Sequence, residues 1–132
     1  MKIELLDKHP CPCCGYLVHL RQPGYHQVCP ICGWEDDLAQ LRFVEMPGSA
    51  NQVSLIKAQV NYMEYGASEK RSLVNSREPV PGELRDREWR SINPARDNIE
   101  EPAAGINYSD SYPKDSTVLY YWRSTYWRRI VG

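Results

Sequence analysis

The chain has 132 residues, of which 42% are hydrophobic and 25% are charged, and its formal net charge is −1. This length fits one compact domain and leaves little room for a second. The nearly neutral charge supplies no general attraction for polyanions, which argues against a protein that binds nucleic acids through bulk charge.

The opening residues and the cysteine count predict a compartment. Residues 1–4 are charged and lack the apolar stretch of a signal peptide, and no run reaches the roughly 18 apolar residues that a membrane span needs. We therefore expect a cytoplasmic protein. The five cysteines all lie between positions 11 and 32. An odd number of crowded thiols suits metal ligands in a reducing compartment better than disulfides.

Two short stretches of the chain are near copies of each other. Residues 11–16 read CPCCGY and residues 29–34 read CPICGW, so both follow the pattern Cys-Pro-x-Cys-Gly-aromatic. Two cysteines three positions apart on a tight turn point their sulfurs into one space, and the glycine after them permits the positive φ of such a turn. Two turns of this kind predict a tetrahedral zinc site. Its four ligands are Cys11, Cys14, Cys29 and Cys32.

The fifth thiol leaves alternatives open. Cys13 stands where Ile31 stands in the second motif, so we expect it to be a spare thiol that points away from the metal. Spacing alone also allows Cys13 to replace Cys14 as a ligand. A different hypothesis makes Cys13 a nucleophile or a redox thiol, if its surroundings lower its pKa.

Histidine ligands and metals other than zinc are alternatives to this four-sulfur zinc site. Three histidines lie near the motifs, and we expect them to be bystanders or outer hydrogen-bond partners of the ligands, because four sulfurs already complete the site. They are His9, His19 and His26. Paired disulfides and a cluster of thiols without metal are further alternatives. Iron also accepts four thiolates, so the metal has to be identified by measurement.

A site with four protein ligands has no open position for water or substrate, so the predicted metal supports folding. The sequence also lacks a phosphate-binding glycine loop, a metalloprotease helix and a nucleophile elbow. We therefore expect a protein that is not an enzyme. Such sites bind zinc with about 10–16 kcal/mol, so metal removal should unfold about the first forty residues.

The segments around the motifs predict a small sheet. Residues 16–20 and 25–28 are β-prone and are separated by the turn-forming pair Pro23-Gly24, which predicts a hairpin. That hairpin would bring both cysteine turns to one end of a sheet, as in a zinc ribbon. The acidic residues 35–37 either begin a helix or hold a basic surface of a partner, and we favour the helix.

Helix signals follow the second motif. Ser54 is a suitable N-cap, an apolar face follows it, and Gly66 has the residue type and position of a helix stop. A weaker second helix is expected from Ser68, with Leu73 and Val74 as its apolar contacts. The prolines from position 79 onward would end it.

The C-terminal half has fewer regular signals. Residues 79–113 are predicted to be an irregular wrapping segment with widely spaced apolar anchors. These anchors are Leu84, Trp89, Ile92, Ile99 and Ile106. Residues 116–131 fit a helical period nearly as well as a strand period, and we favour a helix. The arginine and aromatic side chains of residues 120–129 are assigned first to core packing, next to protein contact and last to nucleic-acid binding.

The predicted fold is therefore α+β: a zinc ribbon with two cysteine turns, then one or two helices and an irregular, aromatic-rich C-terminal segment. We divide the chain into a module of residues 1–66 and an extension of residues 67–132. The extension would pack on the module or on a partner.

The sequence resembles the bacterial cysteine-rich CPCC family over about residues 9–66. The string CPCC stands at residues 11–14. Further matching positions are Gly15, Tyr16, residues 29–37, Asn51, Ser54, Leu55, Ala58, Asn61 and Tyr62. The resemblance implies a small zinc-ribbon domain found in short bacterial proteins, some of them associated with toxin systems as presumed immunity factors.

These observations lead to one main hypothesis and two others. The main one is a non-enzymatic zinc protein that binds a protein partner, as an immunity protein neutralising a cognate toxin. The second is a zinc ribbon that binds nucleic acid through the C-terminal segment, including Arg128 and Arg129. The third is a redox protein that works through Cys13.

Overall fold

The computed structural model describes residues 8–128 and has an α+β fold. A short antiparallel sheet pairs β1 (His9–Pro10) with β2 (Leu17–His19) on either side of the first cysteine turn. Two α-helices follow, α1 (Leu38–Arg42) and α2 (Leu55–Tyr65), and two 3-10 helices lie at Lys70–Asn75 and Ser116–Leu119. The predicted class is confirmed: a hairpin carrying cysteines, helices after it and an aromatic cluster near the C-terminus.

The predicted strand pairing is wrong. Residues 16–20 were expected to pair with residues 25–28, but β2 pairs with β1, with His9 opposite His19. Within 25–28 the structure has one isolated bridge, from Val28 to Glu35. The physical reason is that each cysteine turn is closed by the residues that directly flank it, so the connection between the turns does not form a hairpin of its own.

The acidic residues after the second turn are used inside the fold. Asp36 accepts the backbone N–H groups of Gly24 and Tyr25 at 2.8 and 3.2 Å. Asp37 is the N-cap of α1 and accepts two N–H groups of that helix, and it also accepts the N–H of Ala50 at 2.8 Å. The predicted helix start at these residues is confirmed.

Helix α2 agrees with its sequence signals. The Ser54 side chain accepts the N–H of Lys57 at 3.2 Å, which satisfies one of the donors left open at a helix start. Gly66 has φ +82° and its N–H donates to the carbonyl of Tyr62, which ends the helix. The buried side of α2 presents Leu55, Ala58, Gln59 and Asn61 to the core.

The second predicted helix differs from its prediction. It is a 3-10 helix, Lys70–Asn75, and none of its residues is buried. Leu73 and Val74 are 48% and 87% exposed, so their predicted apolar contacts are wrong. A six-residue segment without an apolar face is stabilised by its neighbours, and here these are the residues of the second cysteine turn.

Residues 79–113 form no helix or strand, as predicted. Of the five predicted anchors, three pack against the core and two, Leu84 and Ile106, are more than half exposed. The anchors that pack are Trp89, Ile92 and Ile99.

The helix predicted for residues 116–131 is wrong where it can be compared. Only Ser116–Leu119 is helical, as one 3-10 turn, and turns continue to residue 128. The predicted residues 129–131 lie outside the described residues. Leu119 and the three aromatic residues after it are all buried, a consecutive pattern that neither a helix nor a strand produces. The predicted core packing of this aromatic stretch is confirmed for Tyr120, Tyr121 and Trp122.

The core is built around the cysteines. All five are fully buried and form one cluster with apolar residues of both helices and of the C-terminal segment. The cluster includes Ile31, Trp34, Leu41, Leu55, Leu119 and Tyr120. The division at residue 66 stays a prediction. Among the described residues, no helix is both long and apolar enough to cross a membrane.

Candidate metal centre

The two cysteine turns have the same backbone structure. In each turn the glycine N–H donates to the carbonyl of the first cysteine, at 2.7 Å in the first turn and 2.9 Å in the second. The N–H of that cysteine donates to the carbonyl of the aromatic residue at 2.9 Å in both. Gly15 and Gly33 have φ +83° and +80°, a region that residues with a Cβ rarely adopt. The sequence repeat is therefore a structural repeat.

The turns bring four sulfurs together. Those of Cys11, Cys14, Cys29 and Cys32 lie within 4.8 Å of one another, and all four residues are 0% exposed. The Sγ atoms of Cys11 and Cys32 are 3.6 Å apart, and those of Cys14 and Cys29 are 3.7 Å apart. A tetrahedron with zinc–sulfur bonds of about 2.3 Å requires separations of about 3.8 Å. These thiols are thus positioned to bind a metal ion.

The electrostatics of the four thiols fit the same use. Burial raises the pKa of Cys11 and of Cys32 well above the ordinary value of a thiol. Hydrogen bonds from Cys11, Cys14 and Cys32 lower the pKa of Cys29 far below it. Four thiolates this close together in a buried site would repel one another unless a cation binds them. A divalent cation would replace the shared protons and neutralise charge that burial otherwise disfavours.

Cys13 lies beside this group but is not one of the four clustered thiols. It is fully buried, and burial raises the pKa of its thiol, while a hydrogen bond with Cys32 opposes that rise. Its exclusion from the four clustered thiols agrees with a spare thiol, and the direction in which it points stays a prediction. A buried thiol with a raised pKa is a poor nucleophile.

The histidines do not join the cluster. Among residues 8–128, the group that could hold a metal ion contains cysteines alone. His19 is buried, and burial lowers the pKa of its imidazole. His26 is exposed and its Nδ1 lies 3.2 Å from a carboxylate oxygen of Glu35.

Each cysteine turn is covered by a segment from further along the chain. The first turn is covered by residues 84–89. A Cβ placed on Gly15 would lie 2.6 Å from the ring of Trp89, so the indole packs directly on the glycine. The indole Nε1 donates to the carbonyl of Pro12 at 3.0 Å, and Nε of Arg85 donates to the carbonyl of Cys14 at 2.8 Å.

The second turn is covered in an analogous way by residues 68–77. The N–H of Ser68 donates to the carbonyl of Cys32 at 2.7 Å, and the N–H of Arg77 donates to the carbonyl of Ile31 at 3.1 Å. A Cβ on Gly33 would lie 2.6 Å from Cβ of Ser72. In both turns, a side chain of the covering segment packs directly against the glycine.

These covering contacts were not predictable from the sequence pattern. Trp89 was recognised as an apolar anchor, but nothing in the pattern placed it on Gly15. The glycine at the same position in both turns was the available signal, because a missing side chain permits close approach as well as positive φ.

Comparison with known families gives a match to the family described as Cysteine-rich CPCC. Its model covers residues 9–83, which is 75 of the 132 residues. The chain belongs to the cysteine-rich CPCC family. The match reaches beyond the 9–66 range recognised in the sequence and includes the cover of the second turn, residues 68–77. It ends directly before residues 84–89, so the cover of the first turn lies outside the CPCC match. No curated protein matches the chain.

Proposed function

We propose that the four clustered cysteines bind one structural zinc ion. The observation that carries this proposal is the set of four fully buried sulfurs, one pair from each turn, with cross-turn separations of 3.6 and 3.7 Å. Four thiolates complete a tetrahedral zinc site and leave no position for water or substrate. Zinc is favoured over iron because it is the usual metal in closed sites of paired Cys-x-x-Cys turns. The thiols must stay reduced, which suits a cytoplasmic protein.

Metal removal tests the structural role. The metal-binding residues are the centre of the core, so a chelator should unfold the region around both turns. Backbone amide spectra of the reduced protein would be compared before and after chelation, with metal added back as the control. Spectra that do not change on removal of the metal would contradict a structural role.

We further propose that the protein is a non-enzymatic module that binds a protein partner. The closed geometry of the thiol group supports a scaffold better than a reaction site. The resemblance to short bacterial proteins that are presumed immunity factors suggests a toxin as the partner. The test is co-expression with the product of the adjacent gene. Co-purification and protection of the host cell are expected, and failure of both would refute the immunity role.

The nucleic-acid hypothesis has less support. It needs aromatic rings available for stacking and unpaired arginines. Tyr120, Tyr121 and Trp122 are buried, and Arg123 is paired with Asp86 at 3.0 Å. Arg128 donates to the carbonyl of Asn98 at 3.1 Å. Arg129 lies outside the described residues. Salt-dependent retention on DNA or RNA would revive this hypothesis.

A further inference from the structure

Residues 84–89, which we call the clasp, pack on the first cysteine turn. Their backbone is hydrogen-bonded to Gly15 of the turn and to Leu17 just after it. The N–H of Leu17 donates to the carbonyl of Leu84 at 2.8 Å, and the N–H of Asp86 donates to the carbonyl of Gly15 at 2.7 Å. Trp89 and Arg85 add the two side-chain bonds to the turn described above. The clasp therefore covers this turn through two backbone and two side-chain hydrogen bonds.

Asp86 fastens the clasp to the C-terminal segment. Its carboxylate Oδ2 accepts a hydrogen bond from the indole Nε1 of Trp122 at 3.0 Å and one from Nη2 of Arg123 at 3.0 Å. The Asp86 side chain is only 10% exposed. Hydrogen bonds to a buried carboxylate are among the stronger ones in proteins. One side chain thus connects the covering segment to a part of the chain more than thirty residues away.

Beyond these hydrogen bonds and the packing of Trp89 against the core, the clasp has few buried contacts. It contains no helix or strand, and four of its six residues are exposed, namely Leu84, Arg85, Arg87 and Glu88. A segment with few buried contacts opens locally at a lower free energy than the core beneath it. The second turn differs, because its cover begins with Ser68 and Glu69, which are 0% and 5% exposed, and Asn61 of helix α2 donates to the carbonyl of Ser68 at 2.9 Å.

We propose that the clasp gates the metal centre: local opening of residues 84–89, limited by the Asp86 contacts, is the route by which the first cysteine turn releases and takes up metal. This inference rests on the proposed metal site. It assigns the second turn a passive role, since its own cover stays closed while Cys11 and Cys14 become accessible.

The test uses the full chain loaded with zinc and compares Asp86→Asn with Glu88→Gln. Both variants remove one carboxylate from the clasp, but only Asp86 bonds to the C-terminal segment. The first readout is the rate of zinc transfer to a coloured chelator. The second is amide hydrogen exchange by NMR at Leu17, whose N–H bonds to the clasp, and at Gly33 in the second turn.

Asp86→Asn should release zinc about tenfold faster, because it weakens charge-assisted hydrogen bonds that close the clasp. Exchange at Leu17 should accelerate by a similar factor, with Gly33 and the Glu88→Gln protein unchanged. Trp89→Ala should accelerate release further. The gate is refuted if zinc transfer is unchanged in Asp86→Asn, or if both turns accelerate equally, which would indicate general destabilisation. Purified protein without zinc would refute the metal site itself, and elemental analysis separates that result from failure of the gate alone.

Discussion

Arg42 and Glu100 form a bidentate ion pair between helix α1 and the irregular C-terminal segment. Nε of Arg42 lies 2.9 Å from Oε1 of Glu100, and Nη2 lies 3.0 Å from Oε2. The two side chains are 5% and 15% exposed. The guanidinium also lies 4.7–5.0 Å from the centroids of four aromatic rings. These rings belong to Phe43, Tyr108, Tyr112 and Trp127.

Arg42→Lys should destabilise the protein although it keeps the charge. Lysine cannot make both parallel bonds or stack its charge flat against the rings, so we expect a loss of about 2 kcal/mol in the free energy of unfolding. Chemical denaturation of the metal-loaded protein measures it. Arg77→Lys is the matched control, because Arg77 also forms a bidentate ion pair, with Glu83, at the surface. Because solvent screens this surface pair, Arg77→Lys should change the free energy of unfolding only slightly. Equal losses in both variants would show that burial of the Arg42 pair has no effect.

Gly15→Ala should lower the free energy of unfolding more than an alanine substitution at another glycine of similar φ. Gly82 has φ +95° and open space around a Cβ, so Gly82→Ala measures backbone strain alone, about 1 kcal/mol. At Gly15 the new methyl group meets the Trp89 ring at 2.6 Å, which adds a packing cost of about 1–3 kcal/mol. Thermal or chemical unfolding of the two variants compares them. Similar costs would mean that the indole does not pack on the turn.

The two cysteine turns and helix α2 were predictable because their signals are local. A repeated motif fixes a turn by itself, and Ser54 and Gly66 mark a helix start and stop by their own hydrogen bonds and φ. The partner of β2 was not predictable from β propensity, because His9 and Pro10 carry no strand signal and pair only once the first turn has closed.

The structure of the C-terminal half was not predictable from the sequence for a different reason. Residues 119–122 are buried one after another because they fill a gap between other elements, and such a stretch has no period to detect. Likewise, Asp86 and Arg42 look like ordinary surface charges in the sequence. Their roles depend on partners more than thirty residues away.

The contribution of Asp86 should depend on pH. Burial alone would raise the pKa of this carboxyl, but hydrogen bonds from Trp122, the Glu88 amide and Arg123 outweigh burial and lower it. A carboxyl with a lowered folded pKa stabilises the fold above its unfolded pKa of about 3.9, and this contribution is lost as the pH falls through the folded value. The stability difference between wild type and Asp86→Asn should therefore be constant near neutrality and shrink in acid. Denaturation at several pH values measures it, and a difference that grows in acid would contradict the assignment.

Cys13 and Cys14 are neighbours with different predicted roles, so they form a matched pair. Cys14→Ser replaces one of the four clustered sulfurs and should abolish stoichiometric metal binding or lower the affinity by orders of magnitude. Cys13→Ser should keep the metal, at a modest cost from placing a hydroxyl in a buried site. Metal content after dialysis at equal protein concentration is the measurement. If Cys13→Ser loses the metal and Cys14→Ser keeps it, then Cys13 is the ligand and Cys14 is the spare thiol.

The most direct test of the metal centre is elemental analysis of the native protein, purified under reducing conditions and without added metal. The four buried sulfurs predict one zinc ion per chain, and X-ray absorption at the zinc edge should show four sulfur neighbours at about 2.3 Å. Protein that carries no stoichiometric metal, or a metal with an oxygen neighbour from water, would contradict a closed structural site.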